Sequence, residues 1–205
     1  MLRKIIKNFM YKYKMLGSRK INFHGKNNEF ICPSSAIQKS LKIQVYGNNN
    51  KIIIGENVSL SNTKILLGFV DCPVENCIVT VGANTRINSM TMQIAEDNSV
   101  VKIGEDCMLS YGVELYCTDT HAIFDENNNL LNRGESIHIG DHVWLCRETR
   151  IMKNTNIPSG CIVAQGAIVT KKFEKENSVI AGNPARIVKE NIRWDKMRPN
   201  DFAKK

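Results

Sequence analysis

Three things are scarce in this sequence: aromatic side chains, long apolar runs and, over the first 28 positions, acidic residues. Aromatics make up 7% of the 205 residues, which suits a thin core filled by aliphatic side chains. No run of about 18 apolar residues occurs, so a membrane-spanning helix is excluded. The N-terminus also lacks the apolar region and small-residue cleavage site of a secretory leader. A cytoplasmic protein is expected. Cysteine is present without a framework: seven residues, at 32, 72, 77, 107, 117, 146 and 161, an odd number at irregular spacings. Cys72 and Cys77 could pair in an oxidising compartment, but reduced thiols acting as small hydrophobes are the expected state.

The missing acids locate the net charge of +8. The first acidic residue is Glu29, and before it stand Arg3, Lys4, Lys7, Lys12, Lys14, Arg19, Lys20 and Lys26. The rest of the chain is balanced. Length suits one domain with short appendages: a basic arm at 1–28, a body at 29–173, and a C-terminal cap and tail at 174–205. Leu2, Ile5, Ile6, Phe9, Met10 and Tyr13 fall on one face of a helix over 2–16, with lysines elsewhere. That pattern suits packing on the body, or contact of residues 1–16 with anionic lipid at the inner face of the cytoplasmic membrane or with a polyanionic acceptor.

What the sequence does have is a rhythm of six. Ile139, Leu145, Ile151, Ile157, Val163 and Val169 recur at one position, and Val143, Thr149, Thr155, Cys161, Ala167 and Phe173 follow each by four. A helix repeats its aliphatics every three or four residues and a half-buried strand every two. Six fits a coil of three short flats, the hexapeptide β-helix. The same rhythm starts weakly at Ile31, Ile37 and Ile43 and resumes at Ile54, Leu60 and Leu66, then at Val81 and Ile87, then at Ile103, Leu109 and Leu115. Gly-Phe-Val-Asp-Cys-Pro (68–73) and Glu96-Asp97-Asn98 interrupt it. Ile54-Gly55, Val81-Gly82, Ile103-Gly104 and Ile139-Gly140 share a dipeptide followed by Asn, Asp or Glu. Such glycines provide a positive φ or a close chain approach at a corner.

Between Leu115 and Ile139 the rhythm breaks for some 20 residues. An aperiodic excursion of that length is uncommon unless it is a lid or binding loop, here a projecting loop at 117–137. His121 stands where the coil opens into it, with an unperturbed pKa suited to a base near neutrality. If 119–121 is extended, Asp119 shares its face and can orient the ring; Asp125 is the other candidate. Cys117, Asp119 and His121 also read as a C-x-D-x-H ligand set, but no fourth ligand is evident and the usual zinc spacings are absent. No metal is therefore expected. His138 and His142 flank a glycine corner and read as solvated turn residues. Cys117 or Cys146 as nucleophile would need a paired base that no spacing identifies.

CTDTHAIFD, IHIGDHVWL, AQGAIVTKKF and IAGNPARIVKENIRW together resemble the hexapeptide-repeat acyltransferases. Within these the chain looks most like the bacterial sugar O-acetyltransferases that modify capsular, sialic-acid-containing or lipopolysaccharide chains. The resemblance covers about residues 78 to 194. It implies an all-β fold, a left-handed parallel β-helix, a homotrimer with active sites between subunits, and acetyl-CoA as donor. It also implies His121 as catalytic base and Trp144 at the acceptor or thioester pocket. The family's donor positions fall on Arg147, Gln165, Thr170, Lys171, Arg186 and Lys189, and Lys172 is an additional candidate. Cations at such positions can neutralise the phosphates of CoA. The chain departs from the family at Cys146, where Gly is usual, and at Ala164-Gln165-Gly166, where Gly-Ala-Gly is usual.

The expected function is therefore transfer of acetyl from acetyl-CoA to a sugar hydroxyl of a surface polysaccharide, with His121 as base and Asp119 orienting it. Nucleic acid is not an expected partner. The competing readings are a small-molecule acetyltransferase acting on a drug or amine, a metal-dependent β-helix anhydrase, and a non-catalytic solenoid that binds polymer.

Overall fold

A computed structural model describes residues 18 to 134 and 136 to 202. The helix expected over 2–16 lies outside the described residues. The chain winds as a stack of triangular coils, each contributing one strand to each of three parallel sheets. The first face stacks Arg19–His24, Leu41–Asn48, Thr63–Leu67, Met90–Ile94, Val113–Cys117, Arg150–Met152 and Ile168–Val169. The second stacks Glu29–Ile31, Lys51–Ile54, Ile78–Val81, Val100–Ile103, Ser136–Ile139 and Thr155–Ile157. The third runs from Ile37–Gln38 through Ser59–Leu60, Arg86–Ile87, Met108–Leu109, Trp144–Leu145 and Ile162–Val163 to Val179–Gly182, where antiparallel Ala185–Lys189 closes it.

The rhythm of six has its physical cause in this winding. All twelve residues of the 139–173 pattern are buried, ten in the hydrophobic core and Thr149 and Thr155 as buried polar side chains. Each large aliphatic removed from water contributes roughly 1.5–3 kcal/mol. Cys77, Cys107, Cys117 and Cys161 fill small inward slots, and all seven thiols are free.

Only the last full coil has the ideal length. Residues meeting across consecutive coils are 22, 27, 22, 36 and 18 positions apart. The longer coils have longer strands, which alternate in and out with period two, as Leu41–Asn48 does. That shifts the phase, and a shift of one residue turns a side chain to the other face. Ile31 (45% exposed) and Ile37 (56%) therefore point outward, against expectation, and Phe30 and Ala36 pack against the core instead. Leu66 likewise faces out, between buried Ile65 and Leu67.

The coil also extends beyond the expected boundaries at both ends. Arg19–His24 is already a coil strand, paired in register with Leu41–Tyr46, so coiled structure begins inside the arm expected at 1–28. At the other end the coil continues past Phe173 to Val179–Gly182, which pairs in parallel with Ile162–Val163.

The corner between the second and third faces is held by two columns. Gly55, Gly82, Gly104 and Gly140 stack so tightly that a Cβ on Gly82 would lie 2.5 Å from the Gly104 carbonyl carbon. None of these four has a positive φ, so close approach is the reason for glycine here. Two positions later come Asn57, Asn84, Asp106 and His142, all left-handed with φ between 51° and 59°. Asn, Asp and His are the side chains that best tolerate that region. The C-terminal segment runs down this corner. Trp194 stacks on His142 with ring centroids 4.1 Å apart and donates its Nε1 proton to the His142 carbonyl. Lys196 pairs with Asp106, which also accepts from His142 Nδ1 at 2.7 Å.

Substitution separates the two kinds of glycine. Gly82→Ala forces backbone against backbone and is expected to cost about 1–3 kcal/mol. Gly166→Ala meets no atom within 4 Å but must hold φ near 71°, at roughly 1 kcal/mol. Thermal unfolding should therefore show the larger fall in Tm for Gly82→Ala. Equal, negligible shifts would mean the coils do not pack backbone against backbone at Gly82.

Candidate active site

The long excursion leaves the coil where the first face turns to the second. Cys117 ends its strand with the thiol buried, so it cannot join Asp119 and His121 as a ligand. Thr118 Oγ1 then accepts a hydrogen bond from Thr120 N at 2.8 Å. Thr120 has φ 67° and His121 N donates to the Asp119 carbonyl at 2.7 Å, a three-residue turn strained for a β-branched residue. Residues 119 to 121 are thus not extended, so the condition under which Asp119 would share a face with His121 is not met. The turn swings His121 outward onto a cleft of about 170 Å³ lined by Glu96, Thr118, Leu130, Asn132 and Arg133 among others. The imidazole has no hydrogen-bond partner among the described residues, and the guanidinium of Arg133, which lines the same cleft, has no ion pair among them.

Asp119, expected to orient the ring, is committed elsewhere. Its carboxylate accepts from Lys153 Nζ at 2.6 Å and from Asn132 Nδ2 at 2.9 Å. Asn132 Nδ2 also donates to the His121 carbonyl at 2.9 Å, and Lys153 reaches the Asn132 carbonyl. Asp119 therefore fastens the loop to the next coil. The Lys153 ammonium, helped by Asn132 and against a burial effect, holds the Asp119 carboxyl below its ordinary value. Asp125 is equally committed: it accepts from the backbone of Asn127 and Asn129 in the tip of a hairpin closed by the Phe124–Leu130 bridge. That hairpin exposes Ile123, Phe124, Leu130 and Leu131. Sequence reasoning missed Asn132, Lys153 and Arg133, since no spacing ties the returning limb or the next coil to His121.

A second groove, of about 410 Å³, lies where the third face turns to the first. Trp144, Arg147 and Gln165 line it with Ser110, Tyr111 and Cys146. Trp144 Nε1 donates to Ser110 Oγ at 3.2 Å, and the Arg147 guanidinium lies 5.5 Å from the Tyr111 ring centre. Burial pushes the Cys146 thiol up to about 11, and the Cys117 thiol as far. Neither is a thiolate near neutrality, so neither is an activated nucleophile.

The remaining donor candidates do not join this groove. Thr170, Lys171 and Lys172 leave the first face at the same corner as the His121 loop, and Lys172 bridges to Asn156. Arg186 and Lys189 are exposed on the closing antiparallel strand of the third face. His138 lies in a strand on the second face, and His142 is docked under Trp194 rather than solvated. Among the described residues no group of three or more His, Cys, Asp and Glu is placed to hold a metal ion.

His121 and Trp144 thus stand at different corners, with the first face between them. Its strand Val113–Cys117 has five residues, or roughly 16 Å at the usual strand rise. Direct transfer needs reacting atoms about 3–3.5 Å apart.

No family model matches the chain. It is 34% identical over 196 residues to a polysialic acid O-acetyltransferase of Neisseria meningitidis, across 87% of this chain and 91% of that one. Among solved structures it resembles the polySia-specific acetyltransferase NeuO, with a TM-score of 0.73 and 30% identity over 88% of this chain and 90% of that one. It also resembles the polysialic acid O-acetyltransferase OatWY, with a TM-score of 0.67 and 31% identity over 88% and 93% of the two chains. The coil is a left-handed parallel β-helix.

Because the Asp119 pKa is depressed on folding, its contribution is present above the ordinary carboxylate range and lost as pH falls through the folded value. Protection from hydrogen exchange over residues 118–134, taken relative to the intrinsic rate at each pH, should therefore hold from pH 7 down to about 4 and fall below it. Asp119→Asn should exchange faster at neutral pH and lose that pH dependence. A variant as protected as the wild type would remove Asp119 from the fastening of the loop.

Proposed function

This chain belongs to the hexapeptide-repeat O-acetyltransferase family that includes the polysialic acid enzymes; we propose that its acceptor is a carboxylate-bearing surface polysaccharide such as polysialic acid. Acetyl-CoA is the co-substrate and the acceptor is a carbohydrate. The observation that carries the finer reading is the exposed, unpartnered imidazole of His121, in a cleft whose wall includes the unpaired cation of Arg133. A base without a ring partner is free to take a hydroxyl proton, and a guanidinium on the same cleft suits a sugar carboxylate.

The reaction is a direct transfer in a ternary complex. His121 takes the proton of the acceptor hydroxyl while that oxygen attacks the thioester carbonyl carbon. The tetrahedral intermediate collapses, the carbon–sulfur bond breaks, and the departing thiolate takes the proton back from the imidazolium. Trp144 lines the thioester end of the donor groove. Arg147 and Gln165 bind CoA there; Thr170, Lys171, Lys172, Arg186 and Lys189 lie outside this groove within one chain and serve as donor contacts where CoA, or a neighbouring subunit, extends to them. Asp119 is a positioning residue: it holds Lys153 and Asn132, and Asn132 holds the backbone of His121.

The assembly in this reading is a homotrimer, in which the His121 corner of one subunit meets the Trp144 corner of its neighbour. Two facts support it. The two half-sites are a face apart within one chain, and the hairpin beside His121 carries exposed Ile123, Phe124, Leu130 and Leu131, whose apolar surface favours a protein contact. The basic sequence at 1–16 is assigned to the polyanionic acceptor or to anionic lipid. Among the described residues no helix is long and apolar enough to cross a membrane.

His121→Ala should keep CoA affinity within about twofold while kcat falls by roughly 10²–10⁴, the usual worth of a positioned general base. Calorimetric CoA titration and a steady-state assay with polysialic acid measure the two. Near wild-type turnover would remove His121 from the mechanism.

A further inference from the structure

The outward side of the first face carries a column of like charge. Lys20 pairs in register with Lys42, and Lys42 with Lys64. Three ammonium groups thus occupy one outward position on consecutive strands, at the roughly 4.8 Å strand spacing. All three are exposed, and none has an ion pair among the described residues, although Lys51, Lys153, Lys175 and Lys196 do.

Higher up, the same position reads Thr91, Glu114 and Arg150. There Arg150 meets Glu114 at 2.8 Å, so the column is neutralised in one half and left cationic in the other. Like charges directly opposite on neighbouring strands repel and destabilise the sheet. An anion spanning the three rungs would remove that repulsion.

The column is also part of a groove. With Ser18, Ser40 and Asn62, the three lysines line a space of about 450 Å³, whose hydroxyls and amide suit sugar hydroxyls. It lies at the same corner as the groove of Trp144, Arg147 and Gln165, on lower coils. It is separate from the His121 cleft and from every donor position assigned above. A row of cations along the coil axis matches an extended ligand carrying repeated negative charges better than the compact phosphates of one nucleotide.

The geometry points to Lys20, Lys42 and Lys64 as a track that holds a carboxylated polysaccharide along the coil axis while another of its residues occupies the catalytic site. The identity of the polymer rests on the acceptor proposed above. The track itself rests on the column. Its effect is on polymer affinity, through KM for long chains, and not on the chemical step or on acetyl-CoA.

The test compares Lys20→Gln/Lys42→Gln/Lys64→Gln with an equal-charge control, Lys51→Gln/Lys102→Gln/Lys175→Gln. Binding of fluorescently labelled polysialic acid to each full-length protein is followed by anisotropy across a salt series. The track variant should bind on the order of tenfold more weakly and with a flatter salt dependence, and its Tm should be unchanged or higher. KM for polysialic acid should rise by a similar factor, while kcat and KM for acetyl-CoA stay as in wild type. A rise in KM for acetyl-CoA instead would reassign the column to the donor phosphates and overturn the track. So would equal weakening by the control, unchanged polymer binding, or a wild type that does not bind the polymer. If wild type binds polysialic acid through the lysines yet transfers no acetyl to it, the acceptor reading fails and the track stands.

Discussion

Every coil of this molecule has to bring its backbone against the next at three corners without a collision. At the corner between the second and third faces the solution is most visible. Gly55, Gly82, Gly104 and Gly140 leave no room for a Cβ, and Asn57, Asn84, Asp106 and His142 turn the chain through the left-handed region just after them. Once the corners are that tight, the faces can stay flat and the interior narrow. Ile, Leu, Val and small Cys or Thr side chains then fill it completely. The excursion after Cys117 emerges at a different corner, between the first and second faces, where glycines also meet closely on lower coils, as Gly25 does against the Gly47 carbonyl.

How much of this could be read from the residues follows from how regular each coil is. Between Ile139 and Phe173 the coil has its ideal length, and every inward residue was legible. In the earlier coils the strands are longer and alternate with period two, so Ile31, Ile37 and Leu66 follow the six-residue spacing yet face outward. Spacing cannot announce an extra residue within a flat. The site shows the same division. His121 at the coil's opening and Trp144, Arg147 and Gln165 in one groove follow from the repeat and the family motifs. The commitment of Asp119 to Lys153 does not, because a positive φ at Thr120 turns the chain, and the partners come from the returning limb and from the next coil.

Function follows from the geometry of an incomplete site. In the proposed reading one chain offers a base at one corner, in a cleft walled by both Arg133 and Glu96, and a donor groove at another, with a whole strand of the first face between them. Apolar side chains on the hairpin beside the base are left in water. The proposed trimer would relieve both features, by packing the hairpin of one copy near the donor groove of the next. Left-handed winding then serves as a straight, rigid post that sets the two corners at a fixed height, and the lysine column lies along that post below the donor groove.

The most direct test of this account is complementation between half-sites. His121→Ala and Trp144→Ala/Arg147→Ala chains, carrying different tags, are co-expressed, and mixed assemblies are isolated through both tags. Each parent alone is expected to be nearly inactive, and the mixed assemblies should recover acetyl transfer, because some of their interfaces pair an intact His121 corner with an intact donor groove. Mixed assemblies as inactive as the parents, or full activity in a monomer, would contradict a site shared between subunits.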